Sequence, residues 1–311
     1  MQFAVENLHK SFGAKQVLKD VSFSTESGKA FGLLGRNGAG KTTTIRIIMD
    51  VFPPDSGRVL LDGSPMVREK VNIGYLPEER GLYPKVNILE QLVYLGKLRG
   101  MTAHDAKENS LKWLRRLSMD EYANKKLDTL SKGNQQKIQL TAALVSDPDF
   151  VILDEPFSGL DPVNAMLLKD VVRELIESGK IVLFSSHQMN YVEEFCDAIA
   201  ILHHGEIVLS GSIRELRQAK GRSCWMIQTE ETEKAIRFCR DTLSGLVKQV
   251  HAVKEGVAVE LLREGGEYEL LSAVASSGLK MDGVQLITPT LNDIFVEATT
   301  GDEEIEGSES K

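Results

Sequence analysis

Val17, Val21 and Phe23 alternate with polar neighbours, and Glu26-Ser27-Gly28 closes that run as a turn, so residues 2 to 35 read as strands. Ala30-Phe31-Gly32-Leu33-Leu34 is the apolar end of this stretch. A helix from Thr42 to Met49 follows it. Pro53-Pro54-Asp55-Ser56-Gly57 is a turn into a strand from Arg58 to Gly63, and Val71 to Leu76 is another strand. The period then becomes helical. Ile88, Leu92 and Leu95 share a face that Gly100 ends, and Leu111, Leu114 and Leu117 repeat it over residues 103 to 118. A third helix runs from Asn134 to Ser146 and stops at Asp147-Pro148. Phe150 to Leu153 and Lys180 to Ser185 are too continuously apolar to be half exposed. Buried runs separated by helices predict parallel strands covered on both faces.

After about residue 221 the texture changes to strand 223–229, helix 231–243, strands 247–253 and 256–262, helix 266–277 and strand 281–287. That order, βαββαβ, is ferredoxin-like. A last amphipathic helix, Leu291 to Ala298, leads into residues 301–311, which are expected to form a disordered acidic tail. No internal repeat is visible. The expected division is a nucleotide-binding domain over 1–220, with a helical part at about 84–148, and a small α+β domain over 221–300.

The chain has 311 residues and a formal net charge of −8. Five acids (Asp302, Glu303, Glu304, Glu306, Glu309) against Lys311 put −4 of that in the tail, so the body is only mildly acidic. This disfavours a general nucleic-acid binder, which carries a basic face. No apolar run approaches the ~18 residues of a membrane span, and the first residues show no signal-peptide progression. A membrane role therefore requires a separate membrane partner. Cys196, Cys224 and Cys239 have no metal-ligand spacing and read as reduced thiols.

Residues 35 to 42, Gly-Arg-Asn-Gly-Ala-Gly-Lys-Thr, match G-x-x-x-x-G-K-[ST] between a strand and a helix, the context a phosphate-binding loop needs. Gly35, Asn37, Gly38, Ala39, Gly40, Lys41, Thr42 and Thr43 are the expected nucleotide-binding residues. Glycines let backbone N–H groups turn inward round an anion, and the helix start adds partial positive charge. Lys41 can reach the outer phosphates, and the Thr42 hydroxyl can ligate Mg²⁺. Phe150 to Leu153 ends in Asp154-Glu155. There Asp154 can hold the metal, and Glu155 is placed as general base toward the attacking water.

Leu130-Ser131-Lys132-Gly133-Asn134 lies between these motifs, and Ser158-Gly159-Leu160-Asp161 and Ser185-Ser186-His187 follow them. In this order and spacing the chain resembles the ATP-binding cassette (ABC) family over about residues 1 to 220. Lys132 and Asn134 depart from the family's usual signature, whereas Ser131 and Gly133 match it. The resemblance implies a P-loop NTPase cassette: a mostly parallel core sheet, an N-terminal antiparallel β part and a helical subdomain. It also implies ATP and Mg²⁺, with two cassettes sandwiching two nucleotides. Ser131 and Gly133 would complete the γ-phosphate site of the opposite subunit, Phe12 would stack on adenine, and His187 would contact the γ-phosphate. Glu78 stands where the family has a glutamine near Mg²⁺; as a charged oxygen donor it could ligate the metal. The Glu78 to Tyr83 loop, the signature and the segment Pro289 to Glu297 resemble ATPases of type-2 ABC exporters, a group with sodium-extrusion and drug-resistance systems. On that reading the chain is the ATPase subunit of an exporter. It would act peripherally at the cytoplasmic face of the membrane, with a polytopic permease docked near residues 84 to 120 and a second, identical or sister, ATPase. A soluble ABC ATPase acting on ribosomes or DNA, and a regulatory nucleotide-binding protein without turnover, are the competing expectations.

Overall fold

The first two strands, β1 (Gln2–Phe12) and β2 (Lys15–Glu26), form a long antiparallel hairpin. Asn7 and Asp20 sit at positive φ and their side chains meet (Asn7 Nδ2 to Asp20 Oδ1, 2.6 Å), so the register slips twice between Val5 and Lys10. The computed structural model describes residues 1–79, 81–219, 224–263, 265–287 and 290–300. The expected tail and two residues of motif segments, Arg80 and Pro289, lie outside the described residues.

Strand β3 (Ala30–Leu34) is buried throughout and leads through residues 35–40 into α1 (Lys41–Ile48). Strands β4 (Ser56–Leu61) and β5 (Ser64–Pro65) join the hairpin in a sheet of order β2-β1-β4-β5. Then come β6 (Ile73–Leu76) and three helices, α2 (Ile88–Leu98), α3 (Ala103–Arg116) and α4 (Lys132–Leu144). Asn87, Thr102 and Ser131 cap them, each side-chain oxygen accepting from the backbone N–H three residues on. Strand β7 (Phe150–Asp154), α5 (Pro162–Glu177), β8 (Ile181–Ser186), α6 (Met189–Phe195), β9 (Ala198–His203) and β10 (Glu206–Ser212) follow.

The second sheet runs β10-β9-β3-β8-β7-β6, parallel from β9 to β6, with β10 as an antiparallel edge. Its register levels the carboxyl ends: Leu34 pairs with Ser186, Asp154 with Ser185 and Leu76 with Leu153. The loops leaving β3, β6, β7 and β8 therefore emerge along one edge, where ligands bind in open α/β sheets. Between the two sheets the core is aromatic, with Phe3 centred 4.7 Å from Phe150 and Phe23 stacked on Phe31 at 4.9 Å. Each such ring contributes about 1.5–3 kcal/mol by leaving water.

The chain divides into two compact units, Met1–Ser212 and Ile213–Thr300. The second holds α7 (Ile213–Ala219), β11 (Cys224–Gln228), α8 (Thr232–Thr242), β12 (Val247–Val253), β13 (Gly256–Leu261), α9 (Glu267–Ser276), β14 (Gly283–Leu286) and α10 (Leu291–Thr300). Its sheet is antiparallel in the order β12-β13-β11-β14, the ferredoxin-like order expected from the strand and helix pattern. Ile227, Val257, Val259, Leu261, Leu270 and Val274 form a core separate from that of the first unit.

Candidate functional site

Residues 36–40 turn from β3 into α1 through two left-handed glycines, Gly38 (φ 83°) and Gly40 (φ 115°). A side chain at Gly40 would also collide with its surroundings, because its β-carbon would lie 2.6 Å from Leu18. The turn leaves the first amides of α1 facing a cleft of about 360 Å³. Lys41 is 7 % exposed, and its Nζ donates to the Gly35 carbonyl at 2.7 Å, so the ammonium sits inside the curve of the loop. Asn37, Gly38, Gly40, Lys41, Thr42, Thr43, Glu78, Asp154 and Glu155 all line this cleft. Gly35 and Ala39 do not line it: both are buried, and the Ala39 carbonyl accepts from Gly205 N at 3.1 Å.

Asp154 and Glu155 end β7 in different environments. Asp154 accepts from the Ser185 hydroxyl on one oxygen and from Tyr75 Oη at 3.4 Å on the other. Burial holds its carboxyl above the usual range, only partly offset by Ser185 and Lys41. Burial, with the charge of Asp154 second, pushes the Tyr75 phenol up to about 12, so it remains a donor. Glu155 adopts φ 48°, a conformation rare for a residue with a side chain. It is 5 % exposed; His187 Nδ1 lies 2.8 Å from its Oε1, and Ser186 Oγ donates to Oε2 at 3.2 Å. Those two hydrogen bonds, from the last residue of β8 and the residue after it, orient the carboxylate.

The remaining expected residues lie elsewhere. Ser131 caps α4, is exposed and, with Gly133, does not line the cleft of its own chain. Phe12 is 50 % exposed at the hairpin tip, edge-on to Phe52 at 5.5 Å, with Lys10 Nζ 5.6 Å from its ring. From the same hairpin the cleft takes Lys15 and Val17, and from the loop Arg36; none of the three is named by the motifs. Pairing of Phe12 with Lys15 brings β2 back toward the loop, and the turn residue Gly13 was the available signal.

The oxygen donors Thr42, Asp154 and Glu78 suit a hard cation, and Lys41 with the loop amides suits phosphate. Among the described residues no three acidic, histidine or cysteine side chains cluster as a self-sufficient metal site.

The model of the ABC transporter family matches residues 18–158, and that of the ATP-binding protein DrrA1-3-like C-terminal domain matches residues 211–299. The chain is 40 % identical to the ABC transporter ATP-binding protein YhaQ of Bacillus subtilis over 94 % of its own length and 97 % of that protein's. The chain belongs to the ABC transporter ATP-binding family. It is accordingly an ATP-binding cassette that hydrolyses ATP, with the P-loop NTPase fold and a DrrA-like C-terminal domain. The linearmycin resistance ATP-binding protein LnrL of Bacillus subtilis is 39 % identical to this cassette over 68 % of the chain and 69 % of that protein. A solved structure of the ATP-binding subunit of an ABC transporter superposes with a TM-score of 0.65 and 29 % identity, covering 71 % of the cassette chain and 93 % of the other. Among the described residues no helix is long and apolar enough to cross a membrane.

Proposed function

We propose that this cassette is the energy-supplying subunit of an exporter, working at the cytoplasmic face of the membrane with a polytopic permease and a second cassette, identical or sister. The carrying observation is the division of the chemistry. One cleft gathers Lys41, Thr42, Glu78, Asp154 and Glu155, whereas the exposed helix start at Ser131 and Gly133 stands apart from it. An anion-binding helix start outside its own chain's cleft is suited to completing the cleft of a second chain. The likeness to a linearmycin resistance ATP-binding protein favours export.

In this reading the loop amides and Lys41 bind the β- and γ-phosphates, and Phe12 and Val17 bound the base and sugar. Thr42, Asp154 and Glu78 would hold Mg²⁺, which neutralises phosphate charge when bound. Glu155 accepts a proton from the attacking water, with His187 and Ser186 fixing its two oxygens. ATP favours the paired state and product release reopens it, so hydrolysis drives a cycle that a permease can follow.

The test is Mg²⁺-dependent hydrolysis by the native chain and Glu155→Gln, with identification of proteins that co-purify from gently solubilised membranes. Glu155→Gln is expected to keep ATP binding and lose roughly 10²–10⁴-fold in rate, the range for a general base. Equal rates would remove the role of Glu155. A stoichiometric polytopic protein is expected in the pull-down; ribosomal or DNA-associated proteins without one would overturn the exporter reading.

A further inference from the structure

Helix α4 carries two buried glutamines three residues apart, hence on one side of the helix: Gln136 is 9 % and Gln139 5 % exposed. Buried amides need partners. Gln139 Nε2 donates to the carbonyls of Pro77 at 3.2 Å and Glu79 at 2.9 Å. Those carbonyls flank Glu78, so one nitrogen grips the backbone on both sides of the acid that lines the cleft. Gln136 Nε2 donates to the carbonyl of Pro156 at 3.4 Å, the residue after Glu155. Two turns of one helix therefore tie both acid-bearing loops to a single rigid element. Its other end is the cap at Ser131, about 12 Å from Gln139 at 1.5 Å per residue.

We infer that Gln139 is a positioning residue for Glu78: its amide holds the loop so that the Glu78 carboxylate faces the metal–phosphate region, and α4 links that placement to the signature end at Ser131. The inference rests on the reading that Glu78 contributes to metal binding. It adds a device that no motif contains, because Gln139 touches neither substrate nor metal and acts only through the backbone of another segment. A glutamine that merely filled a polar gap in the core would affect folding and leave metal affinity alone.

The test uses the full chain with a non-hydrolysable ATP analogue and Mn²⁺, whose binding is read by electron paramagnetic resonance. Gln139→Met keeps the volume and removes both donors. It is expected to weaken Mn²⁺ binding roughly 10-fold or more, the range for groups that orient a metal ligand, with binding of the metal-free analogue unchanged. Glu78→Ala is expected to weaken Mn²⁺ binding too, and the double variant no further than Glu78→Ala alone. If Gln139→Met binds Mn²⁺ like the native chain, or loses the same factor with and without Glu78, the positioning role is overturned while the metal role of Glu78 stands. If Glu78→Ala itself binds Mn²⁺ normally, both fall. Should Gln139→Met fail to give a folded chain, Gln139→Asn, which draws the donor back by one methylene, is read by the same criteria.

Discussion

Burial raises the Asp154 carboxyl, while the Ser185 hydroxyl and Lys41 lower it and the charge of Glu155 raises it again. A raised pKa means that the folded chain binds this proton more readily than the unfolded one. The site's contribution to stability is then greatest below the unfolded pKa and is lost as pH rises through the higher folded value. Without nucleotide, Asp154→Asn is therefore expected to unfold at a higher temperature than the native chain near pH 7, with the gain shrinking toward pH 4. A lower melting temperature near pH 7 would mean that the bonds from Ser185 and Tyr75 outweigh burial. At this scale the contiguous part of the site was legible. Residues 35–43 and Asp154-Glu155 are motifs whose chemistry depends on adjacency in the chain. Lys15 and Val17 were not, because they reach the cleft through the β1–β2 register, and the slips near Asn7 obscure that register. Gln139 was hidden for a similar reason, since nothing in its own helix points to the carbonyls it grips 60 residues earlier.

Helix α6, which follows His187, is pinned by side chains rather than by its own length. Phe157 is 4 % exposed, stacks on Tyr191 at 4.0 Å and lies 6.0 Å from Phe195. Lys169 and Arg173 of α5 both pair with Glu194, and Lys169 also lies 5.1 Å over Tyr191. The segment just after Glu155 thus holds the helix just after His187. Phe157→Ala is expected to cost about 3–5 kcal/mol of stability, as large-to-small core changes do. It should also speed amide exchange selectively across Met189–Phe195; a uniform increase along the first unit would argue against this local pinning. Helices with a cap and a clear period, α2 to α4, were readable, although α4 begins at Lys132, two residues before the pattern placed it. Five later elements, α5, α6, β9, β10 and α7, were not assigned from the pattern. Seven-residue α6 is too short for a period, and β9 is apolar at almost every position. Helix α5 had its start signal in Asp161 and Pro162, and its buried Ala165, Leu168, Val171, Val172 and Leu175 keep helical spacing.

Every described residue lining the cleft lies between Lys15 and Glu155, and among the described residues the core cluster between the two sheets draws on nothing beyond Ile207. A chain ending at Ser212 is therefore expected to melt cooperatively and to bind a fluorescent ATP analogue as the full chain does; loss of binding would show that Ile213–Thr300 supports the cleft. The βαββαβ order of that second unit was legible because each strand is short and bounded by turns. The order of the large sheet was not, since parallel strands carry no mark of their neighbours. That order has a consequence for synthesis. Strand β8 is made after β3 and β7 yet lies between them, so the middle of the sheet stays open until Ile181–Ser186 leaves the ribosome. A nascent chain stalled before Ile181 bares both edges of β3, whose neighbours β8 and β9 are still unmade, and one edge of β7, the surfaces on which chains pair wrongly with one another. A stop codon or translational pause in that interval would yield a species for chaperones and proteases, with no smaller working cassette inside it.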